Sequence, residues 1–283
     1  MKYKLIISDF DNTLNYDYFG YTCSPRTRKA IQSYMQLGGK LCISTGRAWS
    51  MIHPYLAPYG LDDKDILISV NNGAQVYNNK TRETIYQQLI SIDNVILLLK
   101  TLRELDVDLY TTAQLYIQDQ IYINQHTDFT LRFVQRSGIA MNCVGDLLDY
   151  VASNQLLVDK VCLIWDKVAK LDIDAMFGCL AQAFDVTVSG TIGTETLVEI
   201  TSNRAGKGNT AIWIASKLNI PMQNMICIGD GNNDISMIGV AGLGIAMFNA
   251  IAELKAVAGM IADSCDNDGV AKIMEQAMQD VLK

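Results

Sequence analysis

The sequence predicts an α/β protein whose core is a parallel sheet built from both ends of the chain and interrupted by an inserted α+β domain. Three observations support this prediction. Short apolar runs alternate with helical stretches over the first eighty residues, the same alternation returns near residue 207, and the segment between has a different pattern. We expect residues 1–81 and 201–283 to form the core and residues 82–200 to form the inserted domain. The length of 283 residues fits about two domains of roughly 150 residues each.

The N-terminal segment has the pattern of a β-α-β unit. Residues 4–8 are a short apolar run that predicts a strand, and Ser24 with Pro25 provides an N-cap and a proline at the first helical position. The glycine pair at 38–39 predicts the end of that helix. Strands are then expected at residues 40–44 and 66–70, and the implied sheet is parallel.

The C-terminal segment repeats this alternation of helices and strands. Helical spacing of apolar residues and short apolar runs predict, in order, a helix at 207–218, a strand at 225–228, a helix at 233–238, a strand at 244–247 and a helix at 270–282.

The inserted segment is expected to combine helices with antiparallel strands. Residues 91–105 have helical spacing, and residues 109–112 and 115–123 are expected to be neighbouring antiparallel strands. The remaining predicted elements are a strand at 161–165, a helix at 169–183 and strands at 186–188 and 196–200.

Charge and composition exclude several classes of partner. The 23 basic and 30 acidic side chains give a net charge of −7, which argues against a nucleic-acid partner and against an anionic membrane surface. Seven cysteines without a CxxC pair, and two distant histidines, favour reduced thiols over a zinc site. The N-terminus has no apolar stretch of signal-peptide length, so we expect a cytoplasmic protein.

Polar clusters follow four of the predicted core strands. In an open parallel sheet, ligands bind beyond the carboxyl ends of the strands. A single cluster of Asp, Asn and Gly is explained by turn formation, but four such clusters are expected to converge on one crevice. These clusters are residues 9–14, 44–47, 71–73 and 229–234.

The repulsion among the acidic side chains of these clusters has to be offset. Two like charges about 4 Å apart cost about 4 kcal/mol at an effective dielectric constant of 20. Either raised carboxyl pKa values or a bound divalent cation would offset the repulsion among Asp9, Asp11, Asp230 and Asp234. Oxygen ligands without nearby Cys or His favour Mg²⁺ over Zn²⁺. An EF-hand is a poor match, because its central Gly and terminal Glu are absent.

Lys207 is a candidate phosphate contact. It lies between two glycines and opens a predicted helix, whose backbone N–H groups and dipole attract anions. An ordinary solvated lysine is the alternative for this residue taken alone. The P-loop pattern is absent, and the glycines at 242 and 244 lack the third glycine of a dinucleotide fingerprint.

Four motifs in order resemble those of the haloacid dehalogenase superfamily of phosphohydrolases. Residues 9–14 resemble its D-x-D-x-T-L motif, Thr45 the second motif, Lys207 the third, and residues 229–234 the G-D-x-x-N-D motif. Finer features resemble the Cof-type subfamily with a large α/β cap, and they lie at residues 45–47, 72–74, 199–200, 246–250 and 268–271. The resemblance implies a Rossmann-like parallel-sheet core with an inserted α+β cap domain.

The resemblance also implies a mechanism and a set of site residues. Asp9 would be the nucleophile that forms an aspartyl-phosphate, and Asp11 the general acid and base. Thr45 and Lys207 would hold the phosphoryl oxygens, with Lys207 counted among the catalytic residues. The remaining implied roles are phosphate or substrate binding by Gly46, Arg47 and Asn233, and Mg²⁺ binding by the Asp9 side chain, the Asp11 carbonyl, Asp230 and, through water, Asp234. For Arg47, a structural salt bridge is an equally weighted alternative.

The implied function is a Mg²⁺-dependent phosphatase acting on a small phosphorylated metabolite, with sugar phosphates favoured. Two alternatives remain at this point. A phosphomutase would transfer the phosphoryl group to a substrate hydroxyl, and a non-catalytic sensor would bind the phospholigand without turnover. The paired Asp9 and Asp11 count against a sensor, which needs no general acid. The sequence does not indicate an oligomeric state.

Overall fold

The computed structural model describes residues 1–17, 20, 22–105, 107–166, 182–192 and 195–282. The predicted helix at 169–183 therefore lies almost entirely outside the described residues. The strands, in chain order, are β1 (Leu5–Ser8), β2 (Lys40–Ser44), β3 (Leu67–Val70), β4 (Gln75–Asn78), β5 (Glu83–Gln87), β6 (Gln114–Ile117), β7 (Gln120–Ile123), β8 (Met141–Cys143), β9 (Lys160–Asp166), β10 (Phe184–Ile192), β11 (Glu195–Ser202), β12 (Met225–Gly229), β13 (Leu243–Ala246) and β14 (Met260–Ile261).

The described helices alternate with these strands. In chain order they are α1 (Pro25–Gln36), α2 (Trp49–Ile52), α3 (Ile92–Leu105), α4 (Val107–Thr111), α5 (Asp128–Ser137), α6 (Leu147–Asn154), α7 (Lys207–Lys217), α8 (Ile235–Val240), α9 (Ala252–Val257) and α10 (Gly269–Met278). The chain forms two compact units, one from Met1–Gln87 with Gly206–Lys283 and the other from Gln88–Ala205. The first unit extends past residue 81 because β5 pairs with β4, and the second extends past residue 200 because β11 continues to Ser202.

An eight-stranded sheet forms the first unit, in the order β14-β13-β12-β1-β2-β3-β4-β5. The six strands from β14 to β3 are parallel to their neighbours, whereas β4 and β5 are antiparallel. Every residue of β1 is fully buried, as expected for a central parallel strand covered on both faces. Helix α1 starts as predicted, with the Ser24 side chain accepting a hydrogen bond from the Thr27 amide. This arrangement confirms the predicted α/β class and places β12, β1, β2 and β3 side by side.

A six-stranded sheet forms the second unit, in the order β10-β11-β9-β6-β7-β8. Its pairs are antiparallel except for β7 with β8. Buried apolar side chains of α3 and α6, including Leu98 and Val151, form one core cluster with those of β6, β9 and β11. The unit is thus of the predicted α+β type.

The prediction of a strand at residues 109–112 is wrong, because helix α4 occupies this position. The antiparallel partners of β6 are β9 and β7, and β7 comes from the same predicted strand at 115–123. Gln118 and Asp119 have φ values of 49° and 66°, so they form a tight turn with two left-handed residues and fold the run back on itself. Side-chain alternation alone did not reveal this turn. No helix among the described residues is both long enough and apolar enough to cross a membrane.

Candidate active site

The candidate site lies at the carboxyl ends of four neighbouring strands, β12, β1, β2 and β3. Because these strands are parallel, the residues that follow them meet at one edge of the sheet. The Asp9 amide donates a hydrogen bond to the carbonyl of Ile228, and the Thr45 amide donates to that of Ser69, both at 2.8–2.9 Å. The loops that follow these strands therefore begin side by side at one edge of the sheet, as the four polar clusters of the sequence predict.

Lys207 links two of the predicted acidic residues. Its Nζ atom donates to Asp9 Oδ1 at 2.5 Å and to Asp234 Oδ1 at 2.7 Å. All three side chains are at least nine-tenths buried, and the Lys207 side chain is 1% exposed. A buried ammonium group needs such partners, since burial of an unpaired charge is costly. The solvated lysine considered as the alternative is therefore excluded.

The second carboxylate oxygen of Asp234 fixes the loop that follows β12. Asp234 Oδ2 accepts hydrogen bonds from the backbone amides of Asp230 at 2.9 Å and Gly231 at 3.0 Å. A Cβ atom at Gly229 would lie 2.4–2.5 Å from the Asp234 side chain, so the close approach requires glycine there. Asp234 thus holds both Lys207 and the backbone on which Asp230 lies.

Asp9, Asp230 and Asp234 form a candidate metal centre. Each offers a carboxylate oxygen, and these oxygens lie within 4.8 Å of one another. The Thr13 hydroxyl donates to Asp230 Oδ1 at 3.0 Å, which orients one of the three carboxylates. This set of hard oxygen donors fits a divalent cation that prefers oxygen ligands.

The pKa values of the cluster show the cost of its negative charge. Burial, with added repulsion from Asp234 and Asp230, raises the pKa of Asp9 well above its usual value, and Lys207 only partly opposes this effect. Burial and the neighbouring Asp234 raise the pKa of Asp230 to about 6. Burial would lower the pKa of Lys207, but Asp234 and Asp9 raise it above its usual value. A bound cation would offset the same repulsion, so the donor set and the electrostatics agree.

The carboxylate of Asp11 contacts Arg47. Arg47 Nε donates to Asp11 Oδ2 at 2.8 Å, and Arg47 Nη2 donates to Asp11 Oδ1 at 2.5 Å. The guanidinium also lies 4.3 Å from the centre of the Tyr55 ring and donates through Nη1 to the carbonyl of Met51. Of the two alternatives considered for Arg47, the structure contains the salt bridge.

The predicted phosphate contacts Thr45, Gly46 and Asn233 lie beside these groups. The buried Thr45 hydroxyl accepts a hydrogen bond from the Arg47 amide at 3.1 Å, and Gly46 is half-buried between them. Asn233 Nδ2 donates to the side-chain oxygen of Asn72 at 2.9 Å. The loops after β2, β3 and β12 are therefore connected through side chains.

Asn72 and its neighbour position the start of α7, which carries Lys207. The Gly206 amide donates to the Asn72 carbonyl at 3.0 Å, and the Thr210 hydroxyl donates to the Gly73 carbonyl at 3.1 Å. Gly73 has a φ of 90°, and a Cβ atom there would lie 2.5 Å from the Gly206 carbonyl oxygen. Glycine at position 73 permits this close approach.

Asn72 and Asn249 also contact the site, and neither is among the predicted site residues. Asn72 connects Asn233 with the start of α7, and Asn249 contacts the carbonyl of Asn12. Their positions after β3 and β13 were the available signal, because both lie beyond the carboxyl ends of core strands.

Comparisons with known proteins cover nearly the whole chain. The profile of a family described as haloacid dehalogenase-like hydrolase matches residues 6–274. The 5-amino-6-(5-phospho-D-ribitylamino)uracil phosphatase YwtE of Bacillus subtilis is 28% identical over 303 aligned positions, and the alignment covers 97% of this chain and 98% of YwtE. The pyridoxal phosphate phosphatase YbhA of Escherichia coli is 25% identical, with 97% of this chain and 98% of YbhA covered.

A solved structure has the same fold over a similar extent. A haloacid dehalogenase-like hydrolase from Bacillus subtilis superposes with a TM-score of 0.81 at 22% identity, covering 96% of this chain and 99% of that chain. At this level of identity the superposition is informative about the fold alone.

Proposed function

Because the chain belongs to the haloacid dehalogenase-like hydrolases, we propose that it is a Mg²⁺-dependent phosphatase that works through an aspartyl-phosphate on Asp9. Its class as a phosphatase follows from the family and from relatives named as phosphatases. The proposed substrates are small phosphorylated metabolites, with sugar phosphates foremost. The relative YwtE, whose name specifies a phosphorylated ribityl compound as its substrate, supports this choice.

One observation carries the proposal. The carboxylate of Asp9 lies at the carboxyl end of the central strand, held by the buried Lys207 ammonium and within 4.8 Å of carboxylate oxygens of Asp230 and Asp234. A nucleophilic carboxylate beside a fixed cation and an oxygen-lined cation site suits attack on an anionic phosphate. The Asp9 and Asp230 carboxylates and the backbone carbonyl of Asp11 would hold the Mg²⁺, with Asp234 acting through water. When bound, Mg²⁺ would offset the negative charge of the phosphoryl group.

The chemistry of the chain's own residues then divides into two displacements. In the first, an Asp9 carboxylate oxygen attacks phosphorus, the bond from phosphorus to the ester oxygen breaks, and Asp11 donates a proton to that oxygen. In the second, Asp11 takes a proton from water, whose oxygen attacks phosphorus and releases Asp9 and inorganic phosphate. Lys207 and Thr45 stabilise the charge on the non-bridging phosphoryl oxygens in both displacements.

Three further residues are proposed to position these groups. Gly46 permits close approach of backbone to the phosphoryl group, and Asn233 is proposed to orient it. Arg47 already donates hydrogen bonds to Asp11 and to the Met51 carbonyl, so we assign it to orienting Asp11. In this arrangement the predicted substrate contact of Arg47 becomes indirect.

Phosphate release from p-nitrophenyl phosphate with Mg²⁺ tests the proposal. We expect Asp9→Asn to lose at least about a thousandfold in kcat, because the amide cannot act as the nucleophile. Asp63→Asn is the matched control, since Asp63 is an exposed carboxylate paired with Lys64 away from the site. Undiminished hydrolysis by Asp9→Asn would remove Asp9 from the mechanism.

A single turnover in ¹⁸O-water tests which atom water attacks in the second displacement. We expect one ¹⁸O atom in inorganic phosphate and, after repeated turnovers, none in the Asp9 carboxylate if water attacks phosphorus. Attack of water on the carboxyl carbon would instead label Asp9 and would contradict the second displacement. The physiological substrate is then sought by measuring phosphate release from a panel of phosphorylated sugars, polyols, nucleotides and pyridoxal phosphate.

A further inference from the structure

The loop at residues 247–251, between β13 and α9, is hydrogen-bonded to the loop that carries Asp230. The Met247 amide donates to the Gly229 carbonyl at 2.9 Å, and the Ile251 amide donates to the Asp230 carbonyl at 3.0 Å. The Ala250 amide closes the turn by donating to the Met247 carbonyl at 2.9 Å. The backbone on both sides of this turn is therefore fixed against one of the candidate metal-binding loops.

The side chain of Asn249, at the tip of this loop, contacts the nucleophile loop. Asn249 Nδ2 donates to the backbone carbonyl of Asn12 at 2.8 Å. Asn249 Oδ1 accepts a hydrogen bond from the Cys265 amide at 3.2 Å, so both ends of the amide are engaged. Asn12 directly follows Asp11 and has a φ of 56°, a left-handed conformation that is uncommon outside glycine. Asn249, which lies 237 positions further along the chain, stabilises this conformation through its hydrogen bond to the Asn12 carbonyl.

We propose that Asn249 is a positioning residue that sets the spacing between the Asp9–Asn12 loop and the Asp230 loop, and thereby the affinity of the site for a divalent cation. The inference rests on the proposed metal-dependent function. A cation bound by carboxylates from two loops gains affinity when the loops are held apart at the right distance before binding. Loss of outer contacts that orient metal ligands typically costs about 10- to 100-fold in metal affinity.

Because the Asn249 side chain is exposed, its effect on metal affinity can be distinguished from its effect on the stability of the fold. Its hydrogen bonds to Asn12 and Cys265 lie at the protein surface, where water can replace them. Loss of such a bond is expected to change the free energy of unfolding by only about 0.5–1.5 kcal/mol. An effect on metal affinity that exceeds the effect on stability would therefore report positioning.

Asn224 provides a matched control on the same pair of strands. Its Nδ2 atom donates to the Lys2 carbonyl at 2.7 Å, also at the surface, and connects the starts of β1 and β12. Asn249 contacts the loop at the opposite end of β1, and its own loop is hydrogen-bonded to the loop at that end of β12. Asn224→Ala removes the same type of contact without touching the candidate site.

Isothermal titration calorimetry of Mg²⁺ into the substrate-free full-length protein tests the proposal. We expect Asn249→Ala and the nearly isosteric Asn249→Leu to raise the Kd for Mg²⁺ by about 10-fold or more, and Asn224→Ala to leave it within about twofold of wild type. Thermal unfolding in EDTA should change similarly in Asn249→Ala and Asn224→Ala. The Mg²⁺ concentration for half-maximal hydrolysis should rise in parallel with the Kd.

The outcomes distinguish this inference from the proposed function. Tight binding by wild type with an unchanged Kd in both Asn249 variants would overturn the inference and leave the proposed function intact. An equal rise in Asn224→Ala would also overturn it, because the effect would then be a general loosening of the strands. If wild type binds no Mg²⁺ and hydrolysis proceeds unchanged in EDTA, the proposed metal dependence fails, and the inference fails with it.

Discussion

Replacement of Arg47 by Met tests whether Arg47 acts through Asp11. The substitution keeps an unbranched apolar side chain against Tyr55 but removes both hydrogen bonds to the Asp11 carboxylate. If Asp11 is the general acid, its proton is needed most when the leaving oxygen is a poor leaving group. A sugar phosphate leaves as an alkoxide unless it is protonated, whereas p-nitrophenolate leaves readily without a proton. The decrease in kcat/KM caused by Arg47→Met should therefore be larger for the sugar phosphate than for p-nitrophenyl phosphate.

The size of the effect follows from the burial and number of these contacts. The Arg47 side chain is 4% exposed and that of Asp11 is 20% exposed, so the pair is largely shielded from water. Each of the two hydrogen bonds between these charged groups stabilises the pair by at most about 1.5–3 kcal/mol. General acid catalysis typically raises the reaction rate about 10²- to 10⁴-fold. Each factor of ten corresponds to about 1.4 kcal/mol of activation free energy. We expect kcat/KM to fall about 100-fold or more for a hexose phosphate and by about tenfold or less for p-nitrophenyl phosphate.

Steady-state kinetics on the two substrates at saturating Mg²⁺ measure this difference. Arg26→Met is the matched control, because Arg26 makes the same two-bond contact with Glu275 on the surface of the core unit. It should leave the ratio of the two kcat/KM values at the wild-type level. An equal loss on both substrates in Arg47→Met would refute the assignment of Arg47 to Asp11 and would favour direct contact with the phosphoryl group.

Three further predictions concern stability. Burial raises the pKa of Asp159 to about 7 from 3.8, so stability should fall as pH rises through this window, by up to about 4 kcal/mol, and level off above it. Asp159→Asn should make that slope clearly shallower in urea unfolding between about pH 4 and 8, leaving the part due to other buried carboxyls; an unchanged slope would assign it to those groups. Gly73→Ala should lower the free energy of unfolding by more than Gly38→Ala. Both glycines have a positive φ, but only a Cβ atom at Gly73 would meet the Gly206 carbonyl, at 2.5 Å. Equal losses of stability would contradict this close approach. Mg²⁺ should raise the thermal midpoint of wild type relative to EDTA, but not that of Asp230→Asn, as binding linkage requires; an undiminished rise in Asp230→Asn would place the cation elsewhere.

The core and the central site residues were predictable because local patterns determine them. The buried apolar runs that form β1, β2, β3 and β12 end directly before polar clusters. The rule for open parallel sheets was then enough to bring Asp9 and Asp230 together before any contact was known. The pairing of Lys207 with Asp9 likewise agrees with the need of a buried ammonium group for carboxylates.

The remaining features depend on contacts that the sequence does not encode locally. Asn72 and Asn249 act through partners 161 and 237 positions away, and an asparagine after a strand is more often only a turn residue. Periodicity also could not separate β6 from β7, because the turn at Gln118 and Asp119 contains no glycine to mark it. Two left-handed residues of this kind become evident only once the backbone is known.

The position of β1 in the core sheet has a consequence for synthesis of the chain on the ribosome. β1 is translated before the other strands of the core sheet, yet one of its two neighbours, β12, starts only at Met225. Until then one edge of the most buried strand has no native partner, and its N–H and C=O groups are open to pairing with other chains. Nascent chains truncated before Met225 should therefore aggregate more readily than those truncated shortly after β14.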